Sequence, residues 1–338
     1  MAVYAGIDLH SNNSYLGVLD HNNKRLFAKR LPNKVEVIER ALRPFKKQLA
    51  GTVVESTYNW YWLVDGLQEA GYKVHLANPA ATKQYEGIKY SDDRSDAFWL
   101  AHMLKLGILP EGYIYPKEQR YTRDLLRRRL LYVRQRTDHL LSLKSMLSRS
   151  IGQSLSANAV KKLNPQDAGR LFDSPHLVMA GRCAIEAIQF LTTQISTIEK
   201  EALRQAKLKP EFASLLTAPG IGSILAMTIM FEVGDIRRFP KAGNYGSYCR
   251  CVKSEKISNK KKKGRGNRKN GNAYLSWAYV EAAHGALRHY PKARRFYDRK
   301  ASLTNTNVAR KSLANKLARA TFYMMRDQVP YDEAKMFG

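Results

Sequence analysis

Apolar and polar positions in the first hundred residues follow two different periods. Apolar runs of strand length predict five β-strands, at residues 3–10, 14–20, 25–31, 52–57 and 73–77. Helical spacing predicts three helices, at residues 35–49, 60–71 and 92–104. Short polar turns join the first three strands, which therefore form an antiparallel meander.

A three-stranded meander followed by helix, strand, helix, strand and helix is the element order of an α/β RNase H-like fold, also called RuvC-like. In that order the first and fourth strands are neighbours, so Asp8 and Glu55 are expected close together. A carboxylate in a buried strand is costly unless it is paired or bound to a cation. Taken singly, Asp8 also fits a turn at the strand end, and Glu55 fits a half-exposed strand position.

Two more acids, Asp93 and Asp96, lie three residues apart at the start of a predicted helix, so their side chains share one face. Clustered carboxylates suit Mg²⁺ or Mn²⁺. Two such ions about 4 Å apart would clamp a phosphate. The simpler alternative is that Asp92 or Asp93 only caps the helix N-terminus. The joint placement of Asp8, Glu55, Asp93 and Asp96 favours the metal site.

Residues 120–150 form one long predicted helix with the 4-3 apolar spacing of a coiled coil, and residues 184–202 repeat that spacing. We expect these helices to pack as an antiparallel pair or against a second subunit. Seven arginines crowd the first half of the first helix, more than a solvated face needs. They predict contact with RNA or DNA phosphates, with Arg127, Arg128 and Arg129 as candidates.

Two later stretches add to the basic surface. Pro219-Gly220-Ile221-Gly222 between apolar flanks is typical of a helix-hairpin-helix turn, in which Gly220 and Gly222 let the backbone approach a phosphate; a chance Gly-x-Gly turn is the alternative. Residues 250–272 hold ten Lys or Arg against one acid, and their glycines predict a loop without regular structure until a polyanion orders it. Its candidate phosphate contacts are Lys260, Lys261, Lys262, Lys263, Arg265 and Arg268.

Ser258 lies inside this basic segment. It is either an ordinary polar loop residue or a nucleophile whose attack on phosphorus is assisted by the cations around it.

The net charge of +28 over 338 residues indicates a polyanionic partner, nucleic acid before a membrane surface. No apolar run approaches the roughly 18 residues of a membrane span, and the N-terminus lacks the features of a signal peptide. The three cysteines fit no disulfide or zinc pattern, which indicates a reducing, cytoplasmic setting. We expect three regions: an RNase H-like domain at residues 1–118, a helical coiled-coil region at 119–208 and a mostly helical C-terminal domain at 209–338.

Gly6-Ile7-Asp8, Val54-Glu55-Ser56-Thr57, Asn78-Pro79 and Asp93-Arg94-Ser95-Asp96-Ala97 together resemble the motifs of the DEDD-type insertion-sequence transposases. That family includes the Piv-type DNA invertases and the bridge-RNA-guided recombinases. The resemblance continues through Pro219-Gly220-Ile221-Gly222 and residues 239–271, and so covers nearly the whole chain.

The resemblance implies a RuvC-like domain in which Asp8, Glu55, Asp93 and Asp96 hold Mg²⁺ or Mn²⁺. It also implies a C-terminal transposase domain whose nucleophile is Ser258, or Ser254 as the fallback. The chain departs from the family after the serine, where Asn259 and four lysines replace small residues.

The mechanism implied is recombination, in which Ser258 attacks a scissile phosphate and forms a covalent link to DNA. Two subunits would build each composite site, as a dimer that assembles to a tetramer. A bridge RNA would pair with donor and target DNA, so that the protein reads charge and shape more than base edges.

Two other functions fit the same residues. A hydrolytic junction resolvase would use the four acids with a metal-activated water and no serine. A non-catalytic RNA-binding protein would keep only the basic surface.

Overall fold

The computed structural model describes residues 1–82, 92–253, 255–259, 261–265 and 270–337, with the backbone alone at residues 256, 257, 262 and 265. The chain divides into two compact units. The first comprises residues 1–117 and the second residues 118–337, except that residues 264, 265 and 270 group with the first.

The first unit contains one mixed sheet of five strands: β1 (Val3–Leu9), β2 (Asn13–Asp20), β3 (Arg25–Pro32), β4 (Leu49–Glu55) and β5 (Val74–Ala77). Their order is β3-β2-β1-β4-β5, antiparallel from β3 to β1 and parallel from β1 to β5. The helices of this unit are α1 (Val35–Leu42), α2 (Tyr61–Glu69), α3 (Pro79–Thr82) and α4 (Asp93–Lys105). The RNase H-like arrangement predicted from the sequence is confirmed.

Helix α4 lies directly against β1, and Gly6 is the reason it can. A Cβ atom on Gly6 would lie 2.0 Å from the carbonyl oxygen of Ala97 and 2.8 Å from the nitrogen of Ala101, closer than real side chains approach. Successive strand residues alternate between faces, so Asp8 shares the face of Gly6. The opposite face carries Ile7 and the other core residues of β1, which pack with the buried side chains of α1 and α2. The sequence thus brings the start of α4 to the carboxyl end of β1.

Two long helices, α5 (Lys117–Ile151) and α8 (Pro175–Ala206), begin the second unit. They run antiparallel, because Arg129 pairs with Glu199 while Arg136, further along α5, bonds Thr192, earlier in α8. Their far ends share an apolar cluster that includes Leu143. The segment between them holds two one-turn helices, α6 (Ala157–Val160) and α7 (Ala168–Leu171).

The C-terminal part of the second unit is mostly helical, with a core rich in alanine and methionine. Its helices are α9 (Pro210–Leu216), α10 (Ser223–Val233), α11 (Ala242–Tyr248), α12 (Ala273–His289), α13 (Pro291–Leu303), α14 (Thr306–Asp327) and α15 (Glu333–Phe337). The prediction of long middle helices followed by a helical C-terminal region is confirmed.

The basic segment contains regular structure, so the prediction of an unstructured loop is wrong. Strands β6 (Glu255–Ser258) and β7 (Lys261–Arg265) form a two-stranded sheet. Asn259, directly after Ser258, has a φ of 47°. Asparagine tolerates this left-handed conformation better than most residues, which favours a tight turn here. Gly264 lies within β7, so a glycine does not prevent a strand there.

Among the described residues, no helix is both long and apolar enough to cross a membrane. All three cysteines are free thiols: Cys183 is exposed, and Cys249 and Cys251 are buried.

Candidate metal centre

Asp8 and Glu55 lie side by side at the carboxyl ends of the two central strands. Ile7 pairs with Val54 in the parallel β1–β4 ladder, so the next residues along the strands, Asp8 and Glu55, are neighbours. The side chain of Glu55 is hydrogen-bonded to that of Asp8. Asp8 is buried, with 4% of its surface exposed, and Glu55 is half-buried. The register of the sheet thus brings these two acids together, as expected from the sequence.

Helix α4 brings two further acids to the same region. Asp92 caps the helix, since its Oδ1 accepts a hydrogen bond from the backbone nitrogen of Ser95 at 2.7 Å. Asp93 and Asp96 follow in the first helical turn. The negative charges of both act on Asp8, and that of Asp96 acts on Glu55. Capping therefore falls to Asp92, and the cap alternative does not account for Asp93 or Asp96.

His10 joins the cluster, although the sequence analysis did not select it. Its Nε2 lies 3.1 Å from Oδ2 of Asp8 and 3.2 Å from Oδ1 of Asp93. One ligand atom from each of these three residues lies within 4.8 Å of the others, a spacing that could hold a metal ion. The signal was present, because residues two apart at a strand end share a face, as Asp8 and His10 do.

A network of amides and a guanidinium holds these side chains in place. Two amide groups, Nδ2 of Asn33 and Nδ2 of Asn59, donate to the carbonyl oxygen of His10 at 2.9 and 3.1 Å. Arg30 donates from Nη2 to Oδ2 of Asp93 at 2.5 Å and from Nη1 to Oδ1 of Asn13 at 3.0 Å. The cluster is therefore supported from β2, from β3 and from the segments that follow β3 and β4.

The electrostatics of the cluster are those of acids held together by the fold. Burial, followed by the negative charge of Asp8, raises the pKa of Glu55 to about 7. Burial also raises the pKa of Asp8, against the nearby His10, which lowers it. With a pKa of about 7, Glu55 keeps its proton below neutral pH, and in that form it can donate the hydrogen bond to Asp8 in the absence of a cation.

This donor set fits a divalent cation. Carboxylate oxygens are hard ligands, and a neutral imidazole nitrogen is compatible with many divalent metals. A cation would also offset the burial and the negative charge of Asp8, which together raise the pKa of Glu55. Asp8, His10 and Asp93 are thus a possible metal site, with Glu55 and Asp96 adjoining it.

The three arginines predicted to contact nucleic acid differ in their surroundings. Arg127 is bidentate to Glu232, at 2.6 and 2.8 Å, and Arg129 lies 2.6 Å from Glu199. Arg128 is exposed. All three stay predictions as nucleic-acid contacts, but the guanidinium groups of Arg127 and Arg129 are already engaged within the second unit.

The Arg127 contact belongs to a buried network that the sequence analysis did not select. Asn272 donates from Nδ2 to Oε2 of Glu232 at 2.7 Å, and its Oδ1 accepts from the nitrogens of Tyr274 and Leu275. Glu232 is 2% exposed. The network joins α5, α10 and the N-terminus of α12, directly after the basic segment.

The remaining predicted contacts are placed as follows. Gly220 has a φ of 72° and packs against α12, where a Cβ would lie 2.0 Å from the carbonyl oxygen of Ala282, so its glycine is explained by helix packing. Gly222 is exposed at the N-terminus of α10. Ser258, Lys261 and Lys263 are exposed on the hairpin. Ser254, Lys260 and Arg268, and the side chains of Lys262 and Arg265, lie outside the described residues.

An RNase H-like sheet with carboxylates at the ends of its central strands is the arrangement of a metal-dependent domain. Two family models match the chain. The model of the DEDD transposases of IS110 elements, described as a transposase, matches residues 5–151. The model described as the transposase IS116/IS110/IS902 family matches residues 213–298. The chain belongs to the IS110/IS1111 family of transposases.

Two similar proteins have names that agree with this family. The transposase for insertion sequence element IS1111A of Coxiella burnetii is 23% identical over 238 residues, which is 68% of this chain and 63% of that protein. A 43.6 kDa protein of insertion element IS110 of Streptomyces coelicolor is 28% identical over 159 residues, which is 47% of this chain and 38% of that protein. The chain therefore spans less than two thirds of the length of these relatives.

Proposed function

We propose that the protein is an RNA-guided DNA recombinase of an insertion sequence, which cuts and rejoins DNA through a covalent intermediate on a serine. The observation that carries the proposal is the carboxylate cluster around Asp8 in a member of a transposase family. It acts in the cytoplasm, on DNA of the bacterial nucleoid. Its working regions are the RuvC-like domain at 1–118, the coiled-coil region at 119–208 and the transposase domain with a helix-hairpin-helix at 209–338.

Asp8, Glu55, Asp93 and Asp96 hold Mg²⁺ or Mn²⁺ in this proposal. A bound ion would supply positive charge against a scissile phosphate and would stabilise the negative charge that develops there. Arg30 orients the carboxylate of Asp93, which it contacts directly, and His10, which contacts both Asp8 and Asp93, is a further ligand. Glu55 gives up its proton when the ion is bound, since the carboxylate is the form that ligates.

Ser258 is the nucleophile. Its hydroxyl oxygen forms a bond to phosphorus and loses its proton, while the bond from phosphorus to the departing strand oxygen breaks and that oxygen takes up a proton. The reverse exchange with a new strand end releases the serine and rejoins the DNA. The exposure of Ser258 at the end of β6, on the same hairpin as the exposed Lys261 and Lys263, supports access to a phosphate.

The partners are donor DNA, target DNA and a bridge RNA that pairs with both. Support comes from the charge of +28 and from exposed basic side chains such as Arg128 on α5. The protein works as a homo-oligomer, a dimer assembling to a tetramer, so that two copies complete each composite site.

The test is a denaturing gel that detects protein covalently joined to labelled donor DNA, with bridge RNA and Mg²⁺ present. We expect an adduct with the natural protein, its loss in Ser258→Ala, and its retention in Ser247→Ala, a matched change at another exposed serine of the same unit. We also expect Asp8→Ala or Glu55→Ala to abolish strand cleavage while RNA binding persists. RNA binding with no strand cleavage by the natural protein would instead favour a non-catalytic RNA-binding protein, and full cleavage in both acid variants would exclude a catalytic role for Asp8 and Glu55.

A hydrolytic junction resolvase is the second candidate. The observation that favours it is that Asp8, His10 and Asp93 all belong to the first unit, so a metal-activated water would need no residue of the basic segment. Cleavage that is unchanged in Ser258→Ala, with no adduct in either protein, would establish hydrolysis.

A further inference from the structure

A groove in the second unit lies outside every site described so far. It is bounded by α13, by α14 and by the chain at residues 251–253, and its cavity volume is about 770 Å³. That volume falls in the range of about 300–1,000 Å³ that is common for ligand sites. The groove is open to solvent, and all of its lining belongs to one compact unit.

Its lining is strongly cationic. Five basic side chains line it: Lys253, Arg299, Lys300, Lys311 and Lys316. Among the described residues, none of the lining side chains is an acid. Two of the ammonium groups contact neutral partners: Lys311 donates to the carbonyl oxygen of Arg250 at 3.4 Å, and Lys316 donates to that of Met336 at 2.5 Å. Nζ of Lys316 also lies 5.3 Å from the centroid of the Phe296 ring. The positive charge of the groove is therefore not neutralised by its own lining.

The charges crowd one another as well. Burial lowers the pKa of Lys316, and the neighbouring charges of Arg299 and Arg319 lower it further. An anion bound in the groove would relieve this repulsion, because it would stabilise the charged form of each lysine.

An apolar strip accompanies these cations. Phe296 and Val308 are half-buried in the lining, while Leu303 is 75% exposed and Val252 is 43% exposed. Phosphates beside cations and bases stacked on apolar or aromatic side chains are the two parts of a site for single-stranded nucleic acid. An acidic protein segment would match the charges but would leave the exposed apolar strip without a comparable contact.

The groove also adjoins the segment that carries Ser258. Lys253 is five residues before Ser258, which corresponds to at most about 18 Å of extended chain. A strand held in the groove would thus lie within reach of the hairpin.

We propose that this groove binds a single strand of DNA, with its phosphates against Arg299, Lys300 and Lys311 and a base against Phe296 and Leu303. The inference rests on the proposed function in one respect, that the strand is one of those exchanged at Ser258. It assigns α13 and α14 the task of holding that strand before and after the exchange.

The experiment measures binding of a dye-labelled 12-nucleotide oligo-dT by fluorescence anisotropy across a salt series, with EDTA present so that no cleavage occurs. The test variant carries Arg299→Gln, Lys300→Gln and Lys311→Gln. The matched control removes three exposed lysines elsewhere in the same unit, through Lys161→Gln, Lys162→Gln and Lys207→Gln. Circular dichroism establishes that both variants are folded.

The loss of three phosphate contacts should reduce the slope of log K against log salt by about 2, since each contributes about 0.7. The control should keep the natural slope. Equal slopes for the groove variant and the natural protein, or an equal reduction in the control, would overturn the proposal. Displacement of the labelled oligonucleotide by poly-glutamate at a lower concentration than by unlabelled oligo-dT would also overturn it. So would a larger reduction of the salt slope by the groove substitutions for an RNA of the same length than for oligo-dT.

A second measurement tests the groove without any substitution, in case the triple variant does not fold. Photocrosslinking of the natural protein to an oligonucleotide that carries 5-iodouracil should modify a peptide containing Phe296 or Leu303. Crosslinks confined to other surfaces would contradict the site. Neither measurement needs an adduct at Ser258. Binding in the groove without an adduct would therefore count against recombination alone. An adduct together with an unchanged salt slope in the groove variant would count against the groove alone.

Discussion

Replacement of Glu55 by glutamine should stabilise the metal-free protein at pH 8. Burial and the charge of Asp8 raise the pKa of Glu55 from 4.5 to about 7. A folded-state pKa above the unfolded value means that the folded protein loses stability as the pH rises from 4.5 to about 7. The neutral amide of Glu55→Gln avoids that loss.

The magnitude follows from the same shift. Without screening it corresponds to about 3 kcal/mol, and solvent at this half-buried carboxyl reduces the expected gain to about 1–2 kcal/mol. At pH 4 the natural carboxyl is protonated in both states, so the gain from Glu55→Gln should vanish there.

The assay is urea unfolding in EDTA at pH 4 and at pH 8, repeated at pH 8 with Mn²⁺. At 100 times its dissociation constant, Mn²⁺ should stabilise the natural protein by about 2.7 kcal/mol and Glu55→Gln by clearly less. Glu39→Gln is the matched control, because Glu39 pairs with Arg43 and has a lowered pKa. A loss of stability in metal-free Glu55→Gln at pH 8 would show that burial and the charge of Asp8 do not destabilise the ionised Glu55 carboxylate.

Three further predictions test the surroundings of the site. Gly6→Val should abolish stabilisation by Mn²⁺ in thermal melts, since the added side chain would displace α4 from β1; an unchanged metal response would contradict that packing. Asp92→Ala should cost about 1 kcal/mol of unfolding free energy yet retain Mn²⁺ binding by calorimetry, whereas Asp93→Ala should lose it. Glu232→Ala should cost about 1–3 kcal/mol in urea unfolding, because it leaves half-buried Arg127 and the buried amide of Asn272 without their partner. Arg127→Met combined with Glu232→Met should cost less; equal costs would exclude the unpaired guanidinium as the cause.

The sheet and its acidic edge were predictable because both follow from local patterns. Apolar alternation identified the strands, and their order with the intervening helices fixed the neighbours β1 and β4. Asp8 and Glu55 come together for that reason alone. The position of α4 was harder to predict from the sequence. It depends on the close approach of Ala97 to Gly6, and the spacing of apolar residues gives no information about that contact.

The features that were missed depend on contacts between distant residues. Glu232 looked like an ordinary polar residue in an apolar helix, and only the fold brings it to Arg127 and Asn272. The hairpin was obscured by the high charge of its strands, which lowers apparent strand propensity. His10 was the exception, because its spacing from Asp8 was visible in the sequence.

The central claim is that Asp8, with Glu55, Asp93 and Asp96, grips a divalent cation. The most direct test is an anomalous difference map from a crystal of the protein grown with Mn²⁺. We expect a peak within about 2.3 Å of carboxylate oxygens of Asp8 and Asp93. Anomalous peaks for Mn²⁺ elsewhere on the protein, with no peak beside Asp8, would exclude this metal site.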